Sequence, residues 1–308
     1  MDLVINLNKP EGITSQEAVS RIKRILIKTK KAGHTGTLDP FATGILLVCT
    51  GRATRLASYL SSLDKEYLTV MKLGEATDTQ DLCGRVIETH KVDVTEDEIK
   101  NTLKSFEGKI LQEPPMFSAL KHRGVPLYKF ARKGIDIPRE PREVYVYKIE
   151  PLKINLPFVT FSTLCSKGTY LRTLCDDIGR KLGTGAHLFK LERTAIGQFK
   201  IDGSITFDEL LQVRDESPRK TRGIYSMDEA LGWMPEIKVK GSAIKNVKNG
   251  NPLRINDCYA IPPNLKNGDS VRIKSQDGEF LAVGSLFEDL GDGSFRHRYT
   301  VRMDVVIP

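Results

Sequence analysis

The sequence predicts an α+β fold: a large first domain on a mixed, largely antiparallel central sheet flanked by helices, then a small all-β barrel. Three observations predict it. Helix-start signals and β-rich runs follow one another at irregular spacing, which suits a mostly antiparallel sheet better than a regular βαβ repeat. Turn signals crowd together in the last quarter of the chain. The length, 308 residues, exceeds what one compact core usually holds.

The elements can be justified in order. Thr14 with Glu17 has capping-box spacing and opens a helix carrying Val19, Ile22 and Leu26. The apolar run Ile45 to Cys49 reads as a buried strand, and Tyr67 to Leu73 as a second, rich in β-branched and aromatic residues. Thr95 with Glu98 opens a helix through Ile99, Leu103 and Phe106, closed by Gly108. Val144 to Ile149 and Phe158 to Cys165 are further strands, and Thr206 with Glu209 starts a helix before Leu210 and Leu211. The polar run Val213 to Arg222 reads as an exposed loop. From Met234-Pro235 onward, turn signals at Asn249-Gly250-Asn251-Pro252, Lys266 to Asp269, Gln276 to Glu279 and Gly291-Asp292-Gly293 separate short strands such as Ser270 to Ile273 and Phe280 to Val283. That spacing places a boundary near residue 235, giving domains over 1–234 and 235–308.

The formal net charge of +8 and pI near 9.1 point to an anionic partner, of which nucleic acid is the commonest. No apolar run is long enough to span a bilayer, and the first residues lack the charged start and long apolar core of a signal peptide. A cytoplasmic protein without membrane contact is expected. The five cysteines form no CxxC pair, and they read as reduced, with Cys49 and Cys165 in the core. Neither GxGxxG nor GxxxxGK[ST] is present, so nothing argues for a dinucleotide or nucleoside triphosphate. No metal site is expected.

Two segments carry chemistry. In Gly33-His34-Thr35-Gly36-Thr37-Leu38-Asp39-Pro40-Phe41-Ala42-Thr43-Gly44, one carboxylate sits in a run with neither helical nor strand periodicity. Pro40 pushes Asp39 toward extended backbone, and the run leads straight into a buried strand. An isolated Asp-Pro is ordinarily a turn, but twelve such residues exceed what a turn requires. The second segment, Gln112 to Gly134, interleaves Lys121, Arg123, Lys129, Arg132 and Lys133 with Phe117, Tyr128 and Phe130, interrupted by Gly and Pro. It suits a segment that follows a nucleic-acid backbone and stacks on bases. A surface loop with anchoring aromatics is the competing reading.

The run GHTGTLDPFATG, with Lys9-Pro10-Glu11-Gly12-Ile13-Thr14-Ser15 before it and Ser166-Lys167-Gly168-Thr169-Tyr170-Leu171-Arg172-Thr173-Leu174 after it, resembles the TruB family of tRNA pseudouridine synthases. The match extends through Leu73-Gly74-Glu75-Ala76-Thr77-Asp78-Thr79-Gln80-Asp81, the Pro114 to Gly134 segment, Gly185-Ala186-His187-Leu188 and Leu191-Glu192-Arg193-Thr194. These motifs keep the family's order to about residue 200. The final barrel looks like a PUA domain, and the stretch 87–134 resembles the family's RNA-binding insertion.

The resemblance implies a pseudouridine synthase fold and isomerisation of uridine 55 in the T-arm loop of tRNA. The C1′–N1 bond breaks and the ribose rejoins at C5, with no atoms gained or lost and no cofactor. It makes Asp39 the catalytic aspartate, paired with Arg172, whose charge favours the ionised carboxylate. Tyr67 stacks on the flipped uracil and is a candidate acceptor of the C5 proton. Tyr170 and Leu191 become pocket walls, and His34 fills the space left by the extruded nucleotide. Lys9 and Pro10 fix the chain beside the Asp39 loop. The implied partner is tRNA alone, its acceptor end on the C-terminal domain, with a monomeric enzyme. Three chemical paths stay open: attack of Asp39 on C1′, addition to C6, or action by charge through a glycal. Two alternatives also stand: a guide-RNA-dependent relative acting on ribosomal RNA, and an RNA chaperone with an idle site.

Overall fold

Val4–Lys9 (β1) carries apolar residues at Val4, Ile5 and Leu7 and is buried along almost its whole length, Asn6 and Lys9 included, as a strand inside a sheet is. In the computed structural model, which describes residues 1–26, 29–213, 221–289 and 298–307, β1 leads into helix α1, Ser15–Ile25. Thr14 caps α1 by accepting from the Glu17 backbone N–H, and Ala18, Val19 and Ile22 pack under the sheet. A short strand β2, Ala32–His34, and the buried strand β3, Thr43–Thr50, flank the Asp39 loop. Helix α2, Ala57–Ser62, then leads to β4, Lys65–Leu73, whose alternation sends Tyr67, Thr69, Met71 and Leu73 inward.

Strands β5, Glu75–Thr77, and β6, Val86–Thr89, form a hairpin beside the sheet. Helix α3 covers Glu96–Lys104 with the full Thr95/Glu98 capping box. It ends before the expected stop, and Gly108, at φ +100°, turns the chain into β7, Gly108–Gln112. Within 87–134, therefore, α3 and β7 belong to the large body: Ile99 and Leu103 lie in its core, and β7 pairs with β10, Arg142–Asn155. Only the following piece stands apart. It holds a two-residue hairpin, β8 Lys121–His122 and β9 Val125–Pro126, and one helical turn, α4 Leu127–Ala131.

Strand β11, Phe158–Cys165, helix α5, Leu171–Leu182, and strands β12, Ala186–Ile196, and β13, Phe199–Lys200, follow. Helix α6, Phe207–Gln212, is capped by the Thr206/Glu209 box. Then come β14, Ile224–Tyr225, and α7, Met227–Ala230. The main sheet runs β14-β1-β3-β12-β4-β11-β10-β7, with β2 added on β3 and β13 on β12. Every pairing in it is antiparallel except β3 with β12. The mixed, largely antiparallel sheet expected from the sequence is the one observed. Most of the expected loop at Val213 to Arg222, residues 214–220, lies outside the described residues, as does the Gly291 to Gly293 turn.

The last part is a nearly closed six-stranded sheet. Its strands are β15 Glu236–Val239, β16 Leu253–Arg254, β17 Cys258–Ala260, β18 Ser270–Lys274, β19 Phe280–Asp289 and β20 Arg298–Val306, ordered β16-β20-β19-β18-β15-β17, with helix α8, Ile244–Lys248, against it. It has its own core around Ile237, Val271, Ile273 and Leu281. It is also seated on the first body: Val283 and Ile307 share a buried cluster with Val4, Leu47 and Leu56. Asp228 accepts from Arg272 and Lys274, both at 2.7 Å. Among the described residues no helix is long and apolar enough to cross a membrane. Four of the five cysteines are buried and free, and Cys83 is exposed.

Candidate active site

The Asp39 loop is held by groups that leave its backbone almost no freedom. The Ser15 hydroxyl donates to the Leu38 carbonyl at 2.9 Å and accepts from the Leu38 N–H at 2.8 Å. The Gly12 N–H donates to the Pro40 carbonyl at 2.8 Å. Lys9, wholly buried, spends its ammonium on the carbonyls of Pro10, Ile13 and Pro40 at 2.8, 3.0 and 3.2 Å. Burial lowers its pKa to about 8, against the pull of Asp39. At the end of the loop Gly44 has φ +98°, and a Cβ there would meet the Arg193 carbonyl at 2.4 Å. Only glycine lets β3 approach β12 so closely.

Asp39 itself keeps 27% of its side-chain surface open. Arg172, in the first turn of α5, places Nε 3.2 Å from Asp39 Oδ2 and Nη1 3.3 Å from Asp81 Oδ2. Its Nη2 donates to the Phe117 carbonyl at 2.8 Å. Asp81 is fixed in turn by the Thr79 hydroxyl at 2.6 Å and the Cys83 N–H at 2.9 Å. A guanidinium fork is suited to three simultaneous partners of this kind. Desolvation raises the Asp39 pKa above the ordinary carboxylate range, and Arg172 opposes it. The pairing offsets part of the desolvation, not all of it.

Tyr67 and Leu191 lie in one buried cluster with Leu38 and Ala42, the apolar neighbours of Asp39 in the loop. They sit on adjacent strands, β4 and β12. Burial pushes the Tyr67 phenol up, while Arg193 pulls it down. Tyr170 stands at the N-cap position of α5, and the Gln112 side chain clamps its backbone, accepting from its N–H at 3.0 Å and donating to its carbonyl at 3.3 Å. His34 is on β2, opposite Val48 of β3, and its Nδ1 has no hydrogen-bond partner among the described residues. Burial, then Arg193, lowers its pKa.

The structure thus brings Asp39, Arg172, Tyr67 and Leu191 around one apolar floor, with Tyr170 at the start of the helix that carries Arg172. Two further residues were not singled out in the sequence. Asp81 stands in the run Thr77 to Asp81, which the resemblance covers, but nothing local says that it meets Arg172 from 91 positions away. Arg193 lies in the Leu191 to Thr194 run, and a strand arginine gives no sign that it will be 2% exposed. A separate cleft of about 770 Å³ runs between the β5–β6 hairpin, Pro114 to Phe117 and α5; neither Asp39 nor Tyr67 lines it.

Comparison with known proteins gives the family. A family model described as the N-terminal domain of TruB family pseudouridylate synthases matches residues 23–171, and one described as the tRNA pseudouridylate synthase B C-terminal domain matches residues 172–232. A tRNA pseudouridine synthase B from Geotalea uraniireducens is 47% identical over 285 residues, 92% of this chain and 91% of the relative. One from Vibrio atlanticus is 41% identical over 93% of this chain and 90% of its own length. Among solved structures, a chain of a Cbf5-Nop10-Gar1 complex matches with TM-score 0.78 at 33% identity, over 99% of this chain and 85% of that one. A chain of an H/ACA RNP bound to a substrate RNA containing 2′-deoxyuridine gives 0.77 at 31%, with the same coverage. With family models over residues 23–232 and relatives of this identity and coverage, the chain belongs to the TruB family of pseudouridylate synthases.

Proposed function

We propose that this enzyme converts uridine 55 in the T-arm loop of tRNA to pseudouridine, with Asp39 as the catalytic carboxylate. The observation that carries the reading is the Arg172–Asp39 pair, 3.2 Å apart, beside a floor made by Tyr67 and Leu191. A carboxylate paired with an arginine and partly open at the edge of an apolar pocket suits a reaction in which a sugar and a base separate and rejoin without leaving. The uridine must first leave its stack, at a cost of a few kcal/mol. Tyr67 then stacks on the extruded uracil, Leu191 and Tyr170 wall it in, and His34 fills the gap in the RNA. Asp39 either bonds to the reacting nucleotide or stabilises the separated sugar by charge. The reaction closes when C5 loses its proton, with Tyr67 as acceptor. The relatives named tRNA pseudouridine synthase B supply the substrate class.

Residues 1–234 serve as the catalytic domain, and 235–308 bind RNA at the acceptor end. The exposed cations of 112–134 contact the T arm. The chain works as a cytoplasmic monomer without a guide RNA or obligate protein partner. The test uses the purified chain and a T-arm hairpin carrying C5-tritiated uridine. One equivalent of tritium released, and none from a hairpin with cytidine at position 55, is the expected result. Release only after addition of a guide RNA would favour the guide-dependent mode. Release from several uridines would remove the assignment to position 55.

A further inference from the structure

The site contains two buried arginines, and they are satisfied differently. Arg172 faces two carboxylates. Arg193, 2% exposed, makes no ion pair among the described residues. Its Nε donates to the Ile45 carbonyl at 2.7 Å, Nη2 to Gly36 at 3.1 Å and Nη1 to Thr37 at 3.4 Å. Gly36 and Thr37 lie in the Asp39 loop, and Ile45 follows it in β3. A buried cation without a counter-ion is costly, and the loop is already tied by Lys9 and Ser15. A tether alone does not require this charge.

The register supplies a reason. Arg193 and Tyr67 are direct partners in the β4–β12 ladder, so both side chains stand on the same face of the sheet, and both are buried there. Gly44 presses β3 onto the Arg193 backbone, which fixes where that guanidinium can go. We propose that Arg193 is a positioning residue for the proton-transfer step: it orients the Tyr67 hydroxyl and stabilises the negative charge this oxygen must carry to take the C5 proton. The inference rests on the assignment of Tyr67 as the C5 base. The step balances as a tautomerisation. Tyr67 first gives its own proton to solvent; its phenolate oxygen then takes the C5 proton, the C5–H electron pair re-forms the C5–C6 double bond as the N1–C6 double bond opens, and N1 takes a proton from water. A neutral phenol has no capacity to do this, and burial of Tyr67 favours the neutral form. An adjacent, permanently charged donor opposes that bias.

The test separates early from late chemistry. A T-arm hairpin with 5-fluorouridine at the target can be rearranged but has no C5 proton to lose. Arg193→Met and Arg193→Lys should therefore slow turnover of the uridine hairpin by about tenfold or more while changing consumption of the 5-fluorouridine hairpin by no more than about twofold. With C5-deuterated uridine, single turnover by the variants should show a larger isotope effect than wild type. Equal slowing on both hairpins, with no isotope effect, would make Arg193 a structural tie and overturn the proposal. Unchanged turnover on uridine would overturn it as well. Tyr67→Phe, run in parallel, distinguishes the failures. If it turns over uridine normally, the base assignment falls and this inference with it. If it is blocked late but the Arg193 variants are not, only this inference falls. Should both variants fail to fold, the full chain still carries the test: the guanidinium proton signals of Arg193 must shift in Tyr67→Phe, and unchanged signals would remove the contact on which the proposal depends.

Discussion

The Asp39 loop, residues 33–44, and the segment 112–134 look alike in sequence: both are polar, rich in glycine and proline, and without periodicity. The fold treats them in opposite ways. The first is fixed by Ser15, Lys9, Gly12 and Arg193 through buried or part-buried hydrogen bonds, and its one acid meets a buried arginine. The second turns Lys121, Arg123, Lys129, Arg132 and Lys133 outward, and none of the five makes an ion pair among the described residues. Its secondary structure is a two-residue hairpin and a single helical turn. The difference teaches that composition finds functional loops but does not sort them. Sorting requires knowing where the backbone groups find partners and whether charges are spent inside the protein or offered outside it. One region is built to hold a reacting group still, and the other to meet phosphates.

If that division is right, substitutions in the first region change rate and not binding. The largest effect is expected at Asp39→Asn, which removes the charge and almost no volume. Turnover should fall by about three orders of magnitude or more, while hairpin affinity stays within about tenfold of wild type. Tritium release and filter binding on the same preparation check both halves, and turnover near wild type would remove Asp39 from the chemistry. Tyr67→Phe comes next, with a loss of about 10²- to 10⁴-fold. The ring and its stacking remain, so the block should be late, with rearranged but still C5-protonated product accumulating in single-turnover quenches. Unchanged turnover instead would make Tyr67 a stacking residue only.

The second region should behave in reverse. Replacing Lys121, Arg123 and Lys129 together by Gln removes three exposed cations and no internal partner. If each meets a phosphate, the slope of log affinity against log salt should fall by roughly 0.7 to 0.9 per charge. The single-turnover rate at saturating hairpin should be unchanged. An unaltered salt slope would mean that the RNA passes elsewhere, and a slowed chemical step would erase the division between the two regions.

Much of this was legible before the structure. The caps at Thr14, Thr95 and Thr206 start helices where their side chains predict, because capping is a local bond between residues three apart. The strands over Tyr67 to Leu73 and Phe158 to Cys165 follow from β-branched and aromatic runs. The Asp39 loop declared itself by being too long for a turn. What escaped is non-local. That α3 and β7 join the main core depends on the pairing of β7 with β10, some thirty residues later. That Asp81 completes the Arg172 pair, and that Arg193 is buried opposite Tyr67, depend on strand order, which no local pattern encodes. Buried charge is the hardest case, since Lys9, Arg172 and Arg193 are residue types that belong at the surface by default.

The smallest expected effect tests Lys9, the residue that most separates the two regions, since it is a cation spent wholly on the protein's own backbone. Its pKa is about 8 in the folded chain against an ordinary 10.5. Below about pH 8 both folded and unfolded chains carry the proton, so the burial cost is constant. Between about 8 and 10.5 the unfolded chain holds a proton that the folded one has released, so the stability contributed by this residue rises with pH across that window. Lys9→Met removes the titration and leaves three carbonyls without their donor, a loss of about 1–3 kcal/mol at neutral pH. Denaturant midpoints of wild type and variant should therefore differ by a constant amount up to about pH 8 and then diverge, with wild type gaining. RNA affinity should not change, because Lys9 has no exposed surface to offer. Parallel pH profiles would mean that the ammonium is not held in the desolvated cage described, and weakened binding would mean that the Asp39 loop and the RNA-facing segment are less separate than their hydrogen bonds imply.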